Sequence, residues 1–189
     1  MGSYICVGLV TNGRETHDFL KLCKKVFSVY KTSIQKLTLK YPLDDECLNW
    51  CKRTVTFQEI DSVLSDCYSN NLCELNINYS MGQRSVEGIL FHIKKEIDYQ
   101  GILFEIPEDN FDIINEIDVL EDQIKLLIKD FLNLGFEYGF CDSEADIEFS
   151  KAEIMSMNSK YSILLINTQS NNPIIKLAPW RIDGLTSRT

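Results

Sequence analysis

Three apolar runs follow one another between residues 72 and 106, with only short polar links between them. This feature constrains the fold most strongly. The runs are LCELNINY at 72–79, EGILFHIKK at 87–95 and YQGILFEI at 99–106. Segments of about eight residues rich in Ile, Leu, Phe and Tyr are typical of β-strands. Because successive strands joined by short links pair in opposite directions, we expect an antiparallel meander.

Helical patterns occur on both sides of this meander. Apolar residues recur at every third or fourth position at 15–30 and 111–134, which predicts two amphipathic helices. A third helix is predicted to follow the capping box at 56–59 and to end near Tyr68. Residues 44–53 are interpreted as a loop with a helical turn. Further strands are expected at 4–10, 33–41, 161–168 and 174–182.

The segment GFEYGFCDSEADIEFS at 135–150 has aromatic residues at every second position, followed by acidic residues at every second position. A two-residue turn at 142–143 would place the two halves side by side, with their apolar side chains on one face. Glu137 and Glu148 would then face each other on the open side. Like charges in that position destabilise a sheet by roughly 0.2–1 kcal/mol. We therefore expect a hairpin that presents acids to a partner.

The size of the chain favours one domain. It has 189 residues, 44% of them hydrophobic, and neither a repeat nor a low-complexity linker divides it. The patterns together predict a single α+β domain over residues 1–189, in which a mainly antiparallel sheet is packed by two to three helices.

The charge of the chain is negative and unevenly distributed. It carries 28 acidic and 19 basic residues, and between Glu96 and Ser150 sixteen acids stand against Lys125 and Lys129 alone. Some of these acids begin the long helix, where the helix dipole favours them. A negative surface repels nucleic-acid phosphates and anionic lipids and attracts basic proteins. We therefore expect a protein partner, no nucleic acid and no membrane.

Two chemical interpretations of the acidic segment compete with this one, and the first is a metal site. Ile147 stands where a calcium-binding EF-hand loop requires glycine, and helices do not flank the segment. Cys47 and Cys51 have no second Cys/His pair at zinc spacing. We expect no metal and no cofactor. The residues that fit the EF-hand count are Asp142, Glu144, Asp146, Glu148 and Glu153.

The second interpretation is catalysis by a pair of carboxylates, but such pairs are too common in a chain this acidic to single one out. The sequence has no G-x-S-x-G elbow, no Walker loop and no G-x-G-x-x-G after a strand. His17 and His92 show no recognisable signature beside any cysteine, so a cysteine nucleophile has no evident base. We expect a protein that is not an enzyme. A closed polar pocket containing Cys47, Cys51 or a histidine would favour the enzyme alternative.

The cysteines and the start of the chain bear on its location. The seven cysteines are scattered and odd in number, and MGSYICVGLV lacks the features of a secretory signal. The longest aliphatic run, ILLI at 163–166, is too short to span a bilayer. We expect a cytoplasmic protein with reduced thiols.

The order of the predicted elements resembles that of small α+β immunity proteins encoded beside bacterial polymorphic toxins. The most similar segments are GILFEIPED, the acidic helix that follows it, and FCDSEADIEFS. The resemblance implies a cytoplasmic antidote without chemistry of its own, which binds and blocks the C-terminal domain of a cognate toxin. If that toxin is a nuclease, it is basic, and the acidic inhibitor imitates its phosphate substrate.

The acids that lack counter-charges nearby in the sequence are then expected to meet basic residues of the toxin. The alternative function is that of a regulatory or adaptor protein that binds another bacterial protein without catalysis. The expected partner-binding residues are Glu137, Asp142, Glu144, Asp146, Glu148, Asp109, Asp112 and Glu116.

Overall fold

Nine strands form one sheet, and four α-helices pack against it, within the residues that the structure describes. The computed structural model describes residues 3–44, 46–70, 72–81, 84–158, 160–168 and 172–183. The strands are β1 (Tyr4–Asn12), β2 (Ile34–Pro42), β3 (Trp50–Val55), β4 (Glu74–Met81), β5 (Arg84–Lys95), β6 (Tyr99–Pro107), β7 (Tyr138–Ser143), β8 (Ile163–Ile166) and β9 (Ile174–Leu177). The helices are α1 (Thr16–Val29), α2 (Ile60–Ser69), α3 (Ile113–Leu134) and α4 (Lys151–Ser156).

Every neighbouring pair of strands in the sheet is antiparallel, in the order β3-β2-β4-β5-β6-β1-β7-β8-β9. The predicted meander is therefore confirmed as β4, β5 and β6, and so is the α+β class with a mainly antiparallel sheet. The described helices number four rather than the two or three predicted, because the short α4 lacks a long apolar period. Residues 50–55, within and just beyond the predicted loop, form the edge strand β3.

The sheet has a different layer on each face. The helices α1, α2 and α3 cover one face and share the main apolar core, in which Phe19, Phe27 and Phe91 are almost fully buried. A second, smaller core lies on the other face, where α4 and the loop before it cover Tyr138 and Phe140. The sheet is therefore enclosed between a layer of helices and a thinner layer that includes the acidic segment.

The predicted hairpin at 135–150 is wrong. Residues 142–143, expected to form its turn, are the last two residues of β7. This strand pairs with β1 on one side and with β8 on the other, so neither of its edges is left for residues 145–149. Those residues instead cross the face of the sheet as a loop, and Ile147 packs into the second core.

Gly8 in β1 allows the ring of Phe140 to lie directly against the strand. A Cβ atom at Gly8 would come within 2.2 Å of that ring. The ring is fully buried and stacks on Tyr161 with 3.8 Å between ring centroids, so it has no free space into which to move. Gly8→Ala is expected to lower the free energy of unfolding by about 1–3 kcal/mol, the usual cost of overpacking. Chemical denaturation measures this loss.

The control for this prediction is Gly13→Ala. Gly13 is exposed, and a Cβ atom there would have its nearest neighbours at 3.6 Å. An equal loss of stability in the two variants would show that the contact with Phe140 is not what requires glycine at position 8.

Candidate partner-binding surface

The eight predicted acids differ in burial and in their partners, and Asp142 departs most from the expected exposed position. It exposes only 1% of its surface. Ser162 Oγ donates a hydrogen bond to its Oδ1 at 2.7 Å, and Trp180 Nε1 donates to its Oδ2 at 3.3 Å. The backbone N–H of Ser143 also donates to Oδ1, at 2.8 Å. Asp142 thus joins β7 to the residue before β8 and to a residue after β9. It is too buried to contact a partner, so the prediction that Asp142 binds a partner is corrected.

Three of the predicted acids have counter-charges within the chain. The pairs are Asp146 with Lys94 at 2.9 Å, Glu148 with Lys160 at 3.4 Å, and Glu116 with Arg84 at 2.6 Å. The expectation that their counter-charges lie only on a partner is therefore wrong. Such partly exposed pairs contribute little to stability, because water screens the charges. A basic residue of another protein can replace the intramolecular partner at little cost.

Asp109 and Glu144 are exposed and form no ion pair with the described residues. The backbone N–H of Glu108 donates to the carbonyl oxygen of Ser3, and that of Glu144 donates to the carbonyl oxygen of Tyr4. Both residues therefore lie where β1 begins. Burial raises the pKa of Glu108, and the carboxylates of Glu144, Asp183 and Asp109 raise it further. We call this group the Glu144 cluster; its members are Glu108, Asp109, Glu144 and Asp183.

A second acidic group surrounds Ile97, in the turn between β5 and β6. Ile97 exposes 96% of its surface beside a shallow polar pocket. Burial raises the pKa of the Tyr99 hydroxyl in this pocket, and the nearby carboxylates raise it further. Sequence reasoning missed this group because its members come from two segments, 96–98 and 148–153, that are about 50 positions apart. We call it the Ile97 cluster; its members are Glu96, Ile97, Asp98, Glu148 and Glu153.

The capping box at the start of α4 fixes the position of Glu153 in the Ile97 cluster. The backbone N–H of Ser150 and its hydroxyl both donate to Glu153 Oε2, each at 2.8 Å. These hydrogen bonds lower the pKa of Glu153, the backbone one most. The carboxylate is therefore held ionised at the edge of the pocket.

The two clusters lie at opposite ends of β1 and are joined by the acidic loop. Glu144 adjoins the first residue of β1, and Asn12 at its other end pairs with Tyr99. Between the clusters the loop carries Asp146, whose carbonyl oxygen accepts a hydrogen bond from Tyr161 Oη at 3.0 Å. We call the two clusters and this loop together the acidic band.

The remaining predicted acids lie elsewhere or are partly buried. Glu137 is half-buried beside the end of β1, where Asn12 Nδ2 donates to its Oε1 at 2.9 Å. Asp112 precedes α3 and accepts a hydrogen bond from Asn115 Nδ2 at 2.8 Å. Glu116, one turn further on, is the partner of Arg84, and this contact lowers its pKa. Asp112 and Glu116 therefore belong to the helical layer.

The enzyme alternative requires a closed polar pocket that contains Cys47, Cys51 or a histidine. Neither of the two described cavities is lined by a cysteine or a histidine. An open, apolar groove of about 350 Å³ lies between α1 and α3. The polar pocket beside Ile97 is lined by carboxylates, a tyrosine and a serine. Within the described ranges, no group of three His, Cys, Asp or Glu side chains is placed to hold a metal ion. None of the described helices is long and apolar enough to cross a membrane.

Comparison with known proteins gives a family match over almost the whole chain. Residues 1–188 match the family described as Immunity protein 64. The sequence matches no protein with a curated description. Among solved structures it is similar to a T6SS protein of Pseudomonas aeruginosa, with 12% sequence identity and a TM-score of 0.38. That similarity covers 88% of this chain and 59% of the other, and it is too distant to carry an argument about function.

Proposed function

Because the chain belongs to the Immunity protein 64 family, we propose that it binds and neutralises a cognate bacterial toxin domain. The family match over residues 1–188 is the observation that carries this proposal. Neutralisation by binding needs no catalytic residues and no cofactor, so the protein acts as an inhibitor rather than as an enzyme. It meets its toxin in the cytoplasm, where an antidote protects the cell that makes it.

We further propose the acidic band as the surface that captures the toxin. Clustered charge of one sign steers an oppositely charged partner and increases the association rate. The ion pairs from Lys94 and Lys160 lie in the band and are weak enough to be exchanged for basic residues of the toxin. Ile97 adds an exposed apolar contact among the acids of its cluster.

This surface favours a basic toxin domain, and a nuclease is the basic domain that it fits best. Nucleases bind the phosphates of their substrate through lysine and arginine side chains. A row of carboxylates can occupy such a groove in place of the phosphates. The inhibitor then blocks the substrate site without any chemical step.

The test uses the purified chain and the purified C-terminal domain of the toxin-like protein encoded directly upstream. Size-exclusion chromatography is expected to show a one-to-one complex, and titration calorimetry an affinity that falls as salt is raised from 50 to about 500 mM, because salt screens exposed charges. Failure to form any complex would contradict the proposal. Binding to a different bacterial protein without protection from a toxin would favour the adaptor alternative.

A further inference from the structure

The apolar groove between α1 and α3 is open to solvent along one side. Its volume of about 350 Å³ lies near the lower end of the range of about 300–1,000 Å³ found for ligand pockets. The sheet forms its floor and the two helices form its walls. Several large side chains that line it are only half-buried: Tyr30, Ile34, Tyr79, Phe104, Phe111 and Leu127.

The rim of the groove on α3 is amphipathic. Gln123, Leu126 and Asp130 follow one another at helical spacing and all three line the groove. Leu126 exposes 64% of its surface, although it is a large apolar residue. Asp130 lies close enough to Tyr30 that burial and its carboxylate together raise the pKa of the tyrosine to about 12. The groove thus combines an apolar interior with a carboxylate at its edge.

The groove opens at the same end of the sheet as the Glu144 cluster. Residues 108–110 form a short 3-10 turn that joins β6 to Phe111. Asp109 in this turn belongs to the Glu144 cluster, while Phe111 lines the groove. Asp109 is therefore two residues from the lining of the groove, so a partner held by this acid lies beside the groove.

We propose that this groove receives an apolar side chain of the cognate toxin, with a lysine or arginine beside it that pairs with Asp130. The inference rests on the proposed function and adds the chemistry of the contact. Interface energy is concentrated in a few apolar anchors that fill pockets and are surrounded by polar residues. A carboxylate at the rim selects a basic neighbour for such an anchor. An open groove with an exposed leucine at its rim suits a protein side chain better than an enclosed small molecule.

The test compares Leu126→Arg with Val119→Arg. Both side chains are exposed on α3, by 64% and 60%, so neither change should prevent folding, and equal melting temperatures verify this. Val119 does not line the groove and is the matched control. We expect Leu126→Arg to weaken binding to the upstream-encoded toxin domain at least tenfold, and Val119→Arg to change it less than twofold.

A third variant tests the charge of the anchor. Leu126→Asp should weaken binding less than Leu126→Arg, because the added carboxylate attracts the proposed lysine or arginine whereas the added guanidinium repels it. If Leu126→Asp weakened binding more than Leu126→Arg, the assignment of a basic neighbour would be overturned. Equal affinities of Leu126→Arg and Val119→Arg would show that the groove does not contact the toxin. In both cases the unchanged protein still binds the toxin, so the proposed function survives. Loss of binding by the unchanged protein would remove both.

Discussion

Replacing Asp142 by alanine is expected to lower the free energy of unfolding by about 3 kcal/mol. The change removes the acceptor for Ser162 Oγ, Trp180 Nε1 and the backbone N–H of Ser143 in a buried site. A buried donor left without its acceptor costs about 1–3 kcal/mol. The hydrogen bonds lost also join β7 to the chain around β8 and β9. Urea denaturation followed by circular dichroism measures the loss.

Two variants make this prediction specific. Asp142→Asn keeps one acceptor oxygen and removes the charge, so we expect a smaller loss of stability. Glu144→Ala changes an exposed acid two residues away and should alter stability by less than about 0.5 kcal/mol. If Asp142→Ala were as stable as Glu144→Ala but bound the toxin poorly, Asp142 would be a partner contact, as the sequence predicted, and its structural role would be rejected.

Changing Asp109 and Glu144 together to lysine is expected to slow association with the toxin domain by about tenfold or more at low salt. Both side chains are exposed in the Glu144 cluster and have no ion pair with the described residues. The reversal therefore changes the local potential without breaking a contact of the fold. Stopped-flow or surface-plasmon measurements at several salt concentrations give the rate.

The matched control reverses two exposed acids remote from the acidic band, Glu46 and Asp66. It changes the net charge by the same amount, so any difference between the two double variants reports the position of the charge. We expect the control to slow association much less, and the difference to shrink as salt increases. Equal association rates for both variants would reject the acidic band as the capturing surface.

The sequence predicted those elements whose pattern is local. The alternation at 72–106 is enough to identify the meander of β4, β5 and β6. The three-to-four spacing in 111–134 likewise predicts α3 within two residues of its observed ends. In both cases the residues that determine the element are contiguous, so no knowledge of distant neighbours is required.

The elements that the sequence missed depend on distant partners. The alternation in Tyr138–Ser143 fits a hairpin and an inner strand equally well, and only the pairing of β7 with β1 and β8 decides between them. Asp146 looks unpaired in the sequence because Lys94, its partner, is 52 positions away. The Ile97 cluster and the groove likewise combine residues from several elements. The alternating acids in the loop were visible in the sequence, but their surroundings were not.

Co-expression tests the central claim most directly. Cells would produce the C-terminal domain of the toxin-like protein encoded directly upstream, with or without this chain, and both growth and co-purification would be scored. The account predicts that cells die with the toxin domain alone, survive with both proteins, and yield a one-to-one complex. Death in the presence of this chain, or survival without a complex, would contradict neutralisation by direct binding.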